Sequence, residues 1–210
     1  MKTFPPLLYL SGTQDFPDTG SFERVLRRLL DVGLPWFQFR DKTLDDRDLF
    51  AWAEKIRRWT EASVTLLTIN DRPDIALLCG ADGVHLGQED LSALEPEFQR
   101  PNDSFHLGIS TRNSSEVRRA LLVRPDYLGV GPIHATSTKD TGVSPRGPLS
   151  ISETRALTDL PLVAIGGITH ENARELFSAG AGTIAVSSAL SSADSPDSML
   201  RILLEIGQRG

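Results

Sequence analysis

Leu162-Val-Ala-Ile-Gly-Gly-Ile168, then Asn172-Ala-Arg-Glu-Leu-Phe-Ser-Ala179, then Thr183-Ile-Ala-Val-Ser-Ser188 is the stretch whose reading decides the fold. Leu162–Ile165 is a short, unbroken apolar run, as expected of a strand buried on both faces. Asn172–Ala179 mixes charged and apolar residues with helical period, and Gly180 follows it at the usual place of a left-handed stop. Thr183–Val186 is a second buried strand. Strand, helix and strand in this order imply a parallel pair joined by a crossover helix.

The same alternation continues toward the N-terminus. Apolar runs at Leu7–Leu10, Trp36–Phe39, Leu66–Ile69, Gly83–Leu86, Leu107–Ile109 and Tyr127–Val130 bring the expected strands to eight. Amphipathic stretches at Ser21–Leu30, Asp45–Trp59, Pro73–Cys79, Ser92–Phe98, Ser114–Val123, Ile151–Leu157 and Asp197–Ile206 bring the helices to eight as well. Ser92–Phe98 is the weakest of them, because it is short and contains Pro96. Ser21, Ser92 and Ser150 are expected N-caps, Thr169 opens the seventh helix, and Gly33 ends the first. Eight units in 210 residues predict closure into an α/β (β/α)8 TIM barrel, one domain over residues 1–210. A doubly wound open sheet also alternates strand and helix and is the alternative fold.

Composition narrows the function classes. The net charge of −6 argues against nucleic acid or an anionic membrane as partner, though not against small anionic substrates held by a local cationic cluster. The single cysteine, Cys79, has no internal partner, which suits a reducing compartment. Met1–Leu10 lacks the features of a signal peptide, and no apolar segment reaches membrane-spanning length, so a cytoplasmic protein is expected. A homo-oligomer is left open.

In a parallel barrel the active site forms at the C-terminal ends of the strands, so polar residues following each run are the candidates. Gln38, Arg40 and Lys42 share one side of an extended chain. The two cations suit a diphosphate, Arg as a planar fork and Lys as a point charge, or else form an ordinary salt bridge. Asn70 and Asp71 end the third strand, and His85, Gly87, Gln88 and Asp90 belong to the fourth. Asp71 and Asp90 read either as a two-carboxylate magnesium site or as caps of the next helices. His85 reads first as a core histidine, and Ser110 as a phosphate donor or a cap. The longest loop, Gly131–Leu149, offers Thr136, Ser137, Thr138 and Lys139 to an anion. Gly166, Gly167, Ser187 and Ser188 form the loops that bind a monophosphate in many barrels of this kind. Two anion sites, a metal-assisted diphosphate site and a monophosphate site, emerge side by side.

These segments resemble the thiamine phosphate synthase family over nearly the whole chain. The matching runs are Gln38-Phe-Arg-Asp-Lys42, Asn70-Asp-Arg72, Gly83-Val-His-Leu-Gly-Gln-Glu-Asp90, Gly108-Ile-Ser110, Asp126-Tyr-Leu-Gly-Val-Gly-Pro132, Thr136-Ser-Thr-Lys139, Ala164-Ile-Gly-Gly-Ile168 and Ala185-Val-Ser-Ser188, in the family's order. The resemblance implies small-molecule substrates. Gln38, Phe39, Arg40, Asp41, Lys42, Asn70, Ser110 and Lys139 would bind a hydroxymethylpyrimidine diphosphate. Asp71 and Asp90 would hold Mg2+ on it. Thr136, Ser137, Thr138, Gly166, Gly167, Ser187 and Ser188 would bind a thiazole phosphate or its carboxylated form. Arg40, Lys42, Ser110 and Lys139 would carry catalysis, in which pyrophosphate leaves a pyrimidine carbocation that the thiazole nitrogen captures.

The chain departs from the family pattern at Arg112, commonly histidine, at His134, often apolar, and at Asp140, often proline. The departures bear on the loop over the site and on the preferred substrate form. The related thiazole tautomerase barrel uses a histidine at the position of Arg112 and has a degraded diphosphate site, whereas both carboxylates are retained here. A non-catalytic phosphate-metabolite binding protein is a further alternative, one that would need no leaving-group site.

Overall fold

The computed structural model describes residues 3–91, 100–136 and 144–209. Eight strands are hydrogen-bonded in chain order and close into a barrel. They are β1 Leu7–Ser11, β2 Trp36–Phe39, β3 Leu66–Asn70, β4 Gly83–Leu86, β5 His106–Thr111, β6 Tyr127–Val130, β7 Leu162–Ile165 and β8 Thr183–Val186. All pairs are parallel, and β1 closes on β8 through Leu7 with Ile184 and Tyr9 with Val186. The closed barrel settles the choice against the open sheet.

The helices among the described residues are α1 Thr19–Asp31, α2 Asp46–Ala62, α3 Pro73–Leu78, α4 Ser114–Leu122, α5 Leu149–Arg155, α6 Ala173–Ser178, α7 Ser188–Ser191 and α8 Pro196–Gln208. The expected helix Ser92–Phe98, with its cap Ser92, lies outside the described residues. The single-turn α7 and a 3-10 turn at Thr13–Asp15 were not foreseen, because one turn gives no periodic signal. Two expected caps are corrected. Asp18 caps α1 by accepting from the amide of Ser21 at 2.8 Å, and Ser150 lies inside α5, donating to the carbonyl of Gly147. A carboxylate accepts more strongly at a helix start than a hydroxyl does. Gly33 and Gly180 do adopt the left-handed conformation.

Strand parity sorts side chains into two cores. Phe37 and Phe39 point outward onto Phe22 of α1, with ring centroids 6.4 and 6.3 Å apart. Trp36 points inward and meets Tyr127 of β6 at 5.0 Å, a contact between non-neighbouring strands that only the barrel interior permits. Leu8, Trp36, Tyr127, Val163 and Ala185 form the inner core. Phe4 plugs the N-terminal end, stacking on Trp36 at 5.1 Å and edging against His106 and Tyr127. Room for the Tyr127 ring comes from Gly108, where a Cβ would stand 2.0 Å from a ring carbon. The barrel is therefore filled at one end and open at the other. Among the described residues no helix is long and apolar enough to cross a membrane.

Candidate active site

At the open, C-terminal end of the strands lies a cavity of about 290 Å3. Arg40, Ser110, Thr136, Gly166, Gly167, Ser187 and Ser188, all expected at the site, line it, together with Gln88, Glu89 and Arg112. Ser137, Thr138, Lys139 and Asp140 lie outside the described residues.

The turn after β2 is organised by Asp41. One of its carboxylate oxygens accepts from the Thr13 hydroxyl at 2.6 Å and the Gln14 amide at 3.2 Å. The other accepts from the Thr43 amide and hydroxyl at 2.9 and 2.7 Å and from the Leu44 amide at 3.3 Å. Burial pushes this carboxyl up, but the hydrogen bonds outweigh it and hold it below the ordinary range. Gln14 completes the clamp by accepting from the Lys42 amide at 2.8 Å. Asp41 thus positions the Arg40–Lys42 turn, and its oxygens face the protein. Phe39 is likewise turned away, packed on α1. The resemblance implies substrate contacts for both, but Phe39 packs on α1 and Asp41 on Thr13 and Thr43, so the alternation of side chains along Gln38–Lys42 separates them from Arg40.

Lys42 reaches Asp71 with a Nζ to oxygen distance of 2.5 Å. Asp71 has a positive φ of 59°, tolerated by Asp better than by most side chains, and its amide donates to the His85 carbonyl at 2.8 Å. It caps no helix, since Arg72 holds the N-cap position of α3. Asp90 accepts from the Gly87 amide at 2.8 Å. Burial pushes the Asp90 carboxyl up, and the neighbouring charges of Asp71 and Glu89 push the same way. The two carboxylates therefore sense each other beside Lys42. Gln38 sits lower in the barrel, with its amide nitrogen 3.4 Å from the Thr68 hydroxyl. Asn70 ends β3 in register with His85.

Ser110 is held twice. Its carbonyl accepts from Gln88 Nε2 at 2.7 Å, and its hydroxyl lies 2.8 Å from His85 Nε2. The other ring nitrogen of His85 lies 3.1 Å from the Tyr127 hydroxyl, so His85 is structurally engaged on both sides. Asn113, not Ser110, caps α4. The role of Gln88 is invisible in the sequence, since only folding brings the turn after β4 against the end of β5.

On the opposite rim, Gly166 and Gly167 have φ of 106° and 61°. A Cβ on Gly167 would lie 2.3 Å from the Ala135 carbonyl oxygen, so only glycine lets the β7 loop pack on the β6 loop. Asn172 clamps that turn, donating to the Gly167 carbonyl at 3.0 Å and accepting from the Thr169 amide at 2.9 Å. α7 begins at Ser188, and the amides of a first helical turn have no intrahelical acceptor. Of the departures from the family pattern, Arg112 is tied to Glu116 through its amide at 2.8 Å and its Nε at 3.2 Å. His134 stands 3.5 Å from Glu175, away from the cavity lining.

A closed parallel barrel with a cationic and carboxylate cluster on one rim and a glycine–serine cradle on the other defines a (β/α)8 enzyme for phosphorylated substrates. The family model described as thiamine monophosphate synthase matches residues 7–190. The thiamine-phosphate synthase of Chlorobium phaeovibrioides is 44% identical over 186 residues, 89% of this chain and 87% of that protein. That of Staphylococcus epidermidis is 34% identical over 200 residues, 93% of each. Among solved structures, a thiamine phosphate pyrophosphorylase from Pyrococcus furiosus superposes with a TM-score of 0.80 at 27% identity, covering 97% of this chain and 96% of that one. The chain belongs to the thiamine monophosphate synthase family, a family of transferases.

Proposed function

We propose that the chain joins hydroxymethylpyrimidine diphosphate to thiazole phosphate, or to its carboxylated form, giving thiamine phosphate and pyrophosphate. The observation that supports this reading is the cavity lined by Arg40 and Ser110 and by the Gly166–Gly167 and Ser187–Ser188 cradle, with the Lys42–Asp71 pair and Asp90 following β2, β3 and β4 at the same end of the barrel, outside that lining. The cationic and carboxylate cluster suits a diphosphate leaving group and the cradle a monophosphate.

The donor set fits magnesium. Asp90 is disfavoured as an anion by burial and by the charge of Asp71, a conflict that a hard cation between them would relieve. Among the described residues no group of three or more His, Cys, Asp and Glu forms a cage. Magnesium does not require one, since it takes one or two carboxylates and fills its remaining positions with waters and phosphate oxygens. When bound, it would supply neutralisation of the diphosphate charge.

Arg40 and Lys42, with Lys139 from the β6 loop, stabilise the negative charge that builds on the departing pyrophosphate. Gln38, Asn70 and Ser110 hold the pyrimidine portion. Thr136, Ser137 and Thr138, the backbone of Gly166 and Gly167, and Ser187 with Ser188 hold the thiazole phosphate so that its ring nitrogen faces the methylene carbon. The apolar wall of Leu10, Ile165 and Ile168 keeps water from the carbocation. No side-chain nucleophile is required.

The test is pyrophosphate release by the purified protein with Mg2+ and both substrates, each omitted in turn. Release that requires all three, with thiamine phosphate formed in step, is the expected result. Binding of thiazole phosphate without release would return the chain to a tautomerase or a ligand-binding role.

A further inference from the structure

Beneath Ser110 a run of hydrogen bonds descends through the barrel interior, and its polarity can be worked out from one end. At the bottom is the indole of Trp36, fully buried, with Nε1 3.1 Å from the Thr68 hydroxyl oxygen. An indole N–H can only donate. The Gln38 amide nitrogen, 3.4 Å away, donates to the same oxygen. The Thr68 hydroxyl therefore receives two protons and has one to give. We assign that proton to the hydroxyl of Tyr127, also fully buried and coupled to the Thr68 side chain. Tyr127, receiving from Thr68, gives its own proton to His85 Nδ1 at 3.1 Å. An imidazole that accepts at Nδ1 carries its proton on Nε2, and Nε2 lies 2.8 Å from the Ser110 oxygen. Ser110 thus receives a proton from His85, and its own hydroxyl proton is free to point into the cavity that it lines.

We propose that Trp36, Thr68, Tyr127 and His85 form a one-way hydrogen-bond relay that presents Ser110 to the substrate as a donor, with His85 as the positioning residue. The inference rests on the reading above that Ser110 contacts the pyrimidine diphosphate. It adds that the substrate atom at Ser110 is a hydrogen-bond acceptor. It also excludes a role suggested by the short Ser110–His85 distance, that of an activated nucleophile and its base. A histidine that donates to the serine cannot remove its proton. The reaction proposed for the site needs no such nucleophile.

Two measurements test the relay. In the first, kcat and KM for both substrates are compared for the unmodified chain, Ser110→Ala, Tyr127→Phe and the double variant. Each single change is expected to lower kcat/KM for the pyrimidine diphosphate roughly tenfold, the worth of one hydrogen bond, with the thiazole phosphate KM within about twofold. If the relay acts through Ser110 alone, Tyr127→Phe costs less than about twofold more once Ser110 is gone. Penalties that multiply to roughly a hundredfold overturn the relay and leave the Ser110 contact standing. A Ser110→Ala variant with undiminished kcat/KM overturns the contact itself, and the relay with it.

The second measurement does not depend on Tyr127→Phe folding. Long-range proton–nitrogen spectra of the 15N-histidine-labelled, unmodified chain report the tautomer of each of the four histidines, His85 being identified by its loss in His85→Asn. Protonation of His85 at Nε2 with a bare Nδ1 is expected. A proton on Nδ1 overturns the relay.

Discussion

Replacing Asp41 by asparagine perturbs a single point that joins the fold to the site. The two carboxylate oxygens face opposite donors, Thr13 and the Gln14 amide on one side and Thr43 and the Leu44 amide on the other. An amide group has one accepting oxygen. Whichever way the introduced side chain turns, its NH2 meets at least one backbone N–H that then lacks an acceptor. A buried orphan of that kind costs about 1–3 kcal/mol, and the surviving bonds lose their charge assistance. A total of about 2–3 kcal/mol follows, which for a domain of this size lowers Tm by roughly 5–10 °C.

The sign of the pH dependence is determined by the direction of the shift. The folded carboxyl lies below its ordinary value, so its contribution is complete above about pH 4 and is lost as pH falls through the folded value. Thermal denaturation followed by circular dichroism is the assay. The gap in Tm between the two proteins is expected to be full at pH 7 and to narrow at pH 3 and below. Because Asp41 and Gln14 hold the Arg40–Lys42 turn, kcat/KM for the pyrimidine diphosphate is expected to fall about tenfold, the effect of loosening one charged contact. The thiazole phosphate KM, which the proposed function assigns to the β7 and β8 loops, is expected to stay within about twofold. An unchanged Tm at pH 7, or a gap that persists undiminished at pH 3, would refute the argument.

Further expectations follow from the same geometry. Asp71→Asn or Asp90→Asn lowers magnesium-dependent turnover on the order of a hundredfold while thiazole phosphate binding, read by calorimetry, is retained. Equal loss of both in a folded variant would remove these residues from the diphosphate rim. Gly108→Ala drives a Cβ to 2.0 Å from the Tyr127 ring inside the barrel and destabilises by about 3 kcal/mol, seen as a Tm loss of roughly 10 °C. Gly167→Ala, with φ of 61° and a Cβ 2.3 Å from the Ala135 carbonyl, raises the thiazole phosphate KM about tenfold and spares the pyrimidine diphosphate KM. A shift confined to the pyrimidine diphosphate KM would place Gly167 on the wrong rim.

By itself, the sequence determined the repeating unit. Apolar runs such as Trp36–Phe39, Gly83–Leu86, Tyr127–Val130, Leu162–Ile165 and Thr183–Val186 coincide with the strands to the residue, because a strand buried on both faces is predominantly apolar. Of the residues expected after those runs, Arg40, Ser110, Thr136, Gly166, Gly167, Ser187 and Ser188 line the cavity, because parallel strands bring all their C-terminal ends to one face, whereas Gln38, Lys42, Asn70, Asp71 and Asp90 are not part of its lining. Only the tertiary structure decided what each polar side chain meets. Within Gln38–Lys42 it turned Phe39 onto α1 and Asp41 onto Thr13 and Thr43, and left Arg40 on the cavity. It also joined Trp36, Thr68, Tyr127, His85 and Ser110, which lie on five different strands. The reason is physical. Burial and period are local properties written into neighbouring residues, whereas a hydrogen-bond partner across the barrel is set by closure, which brings together side chains far apart in the chain.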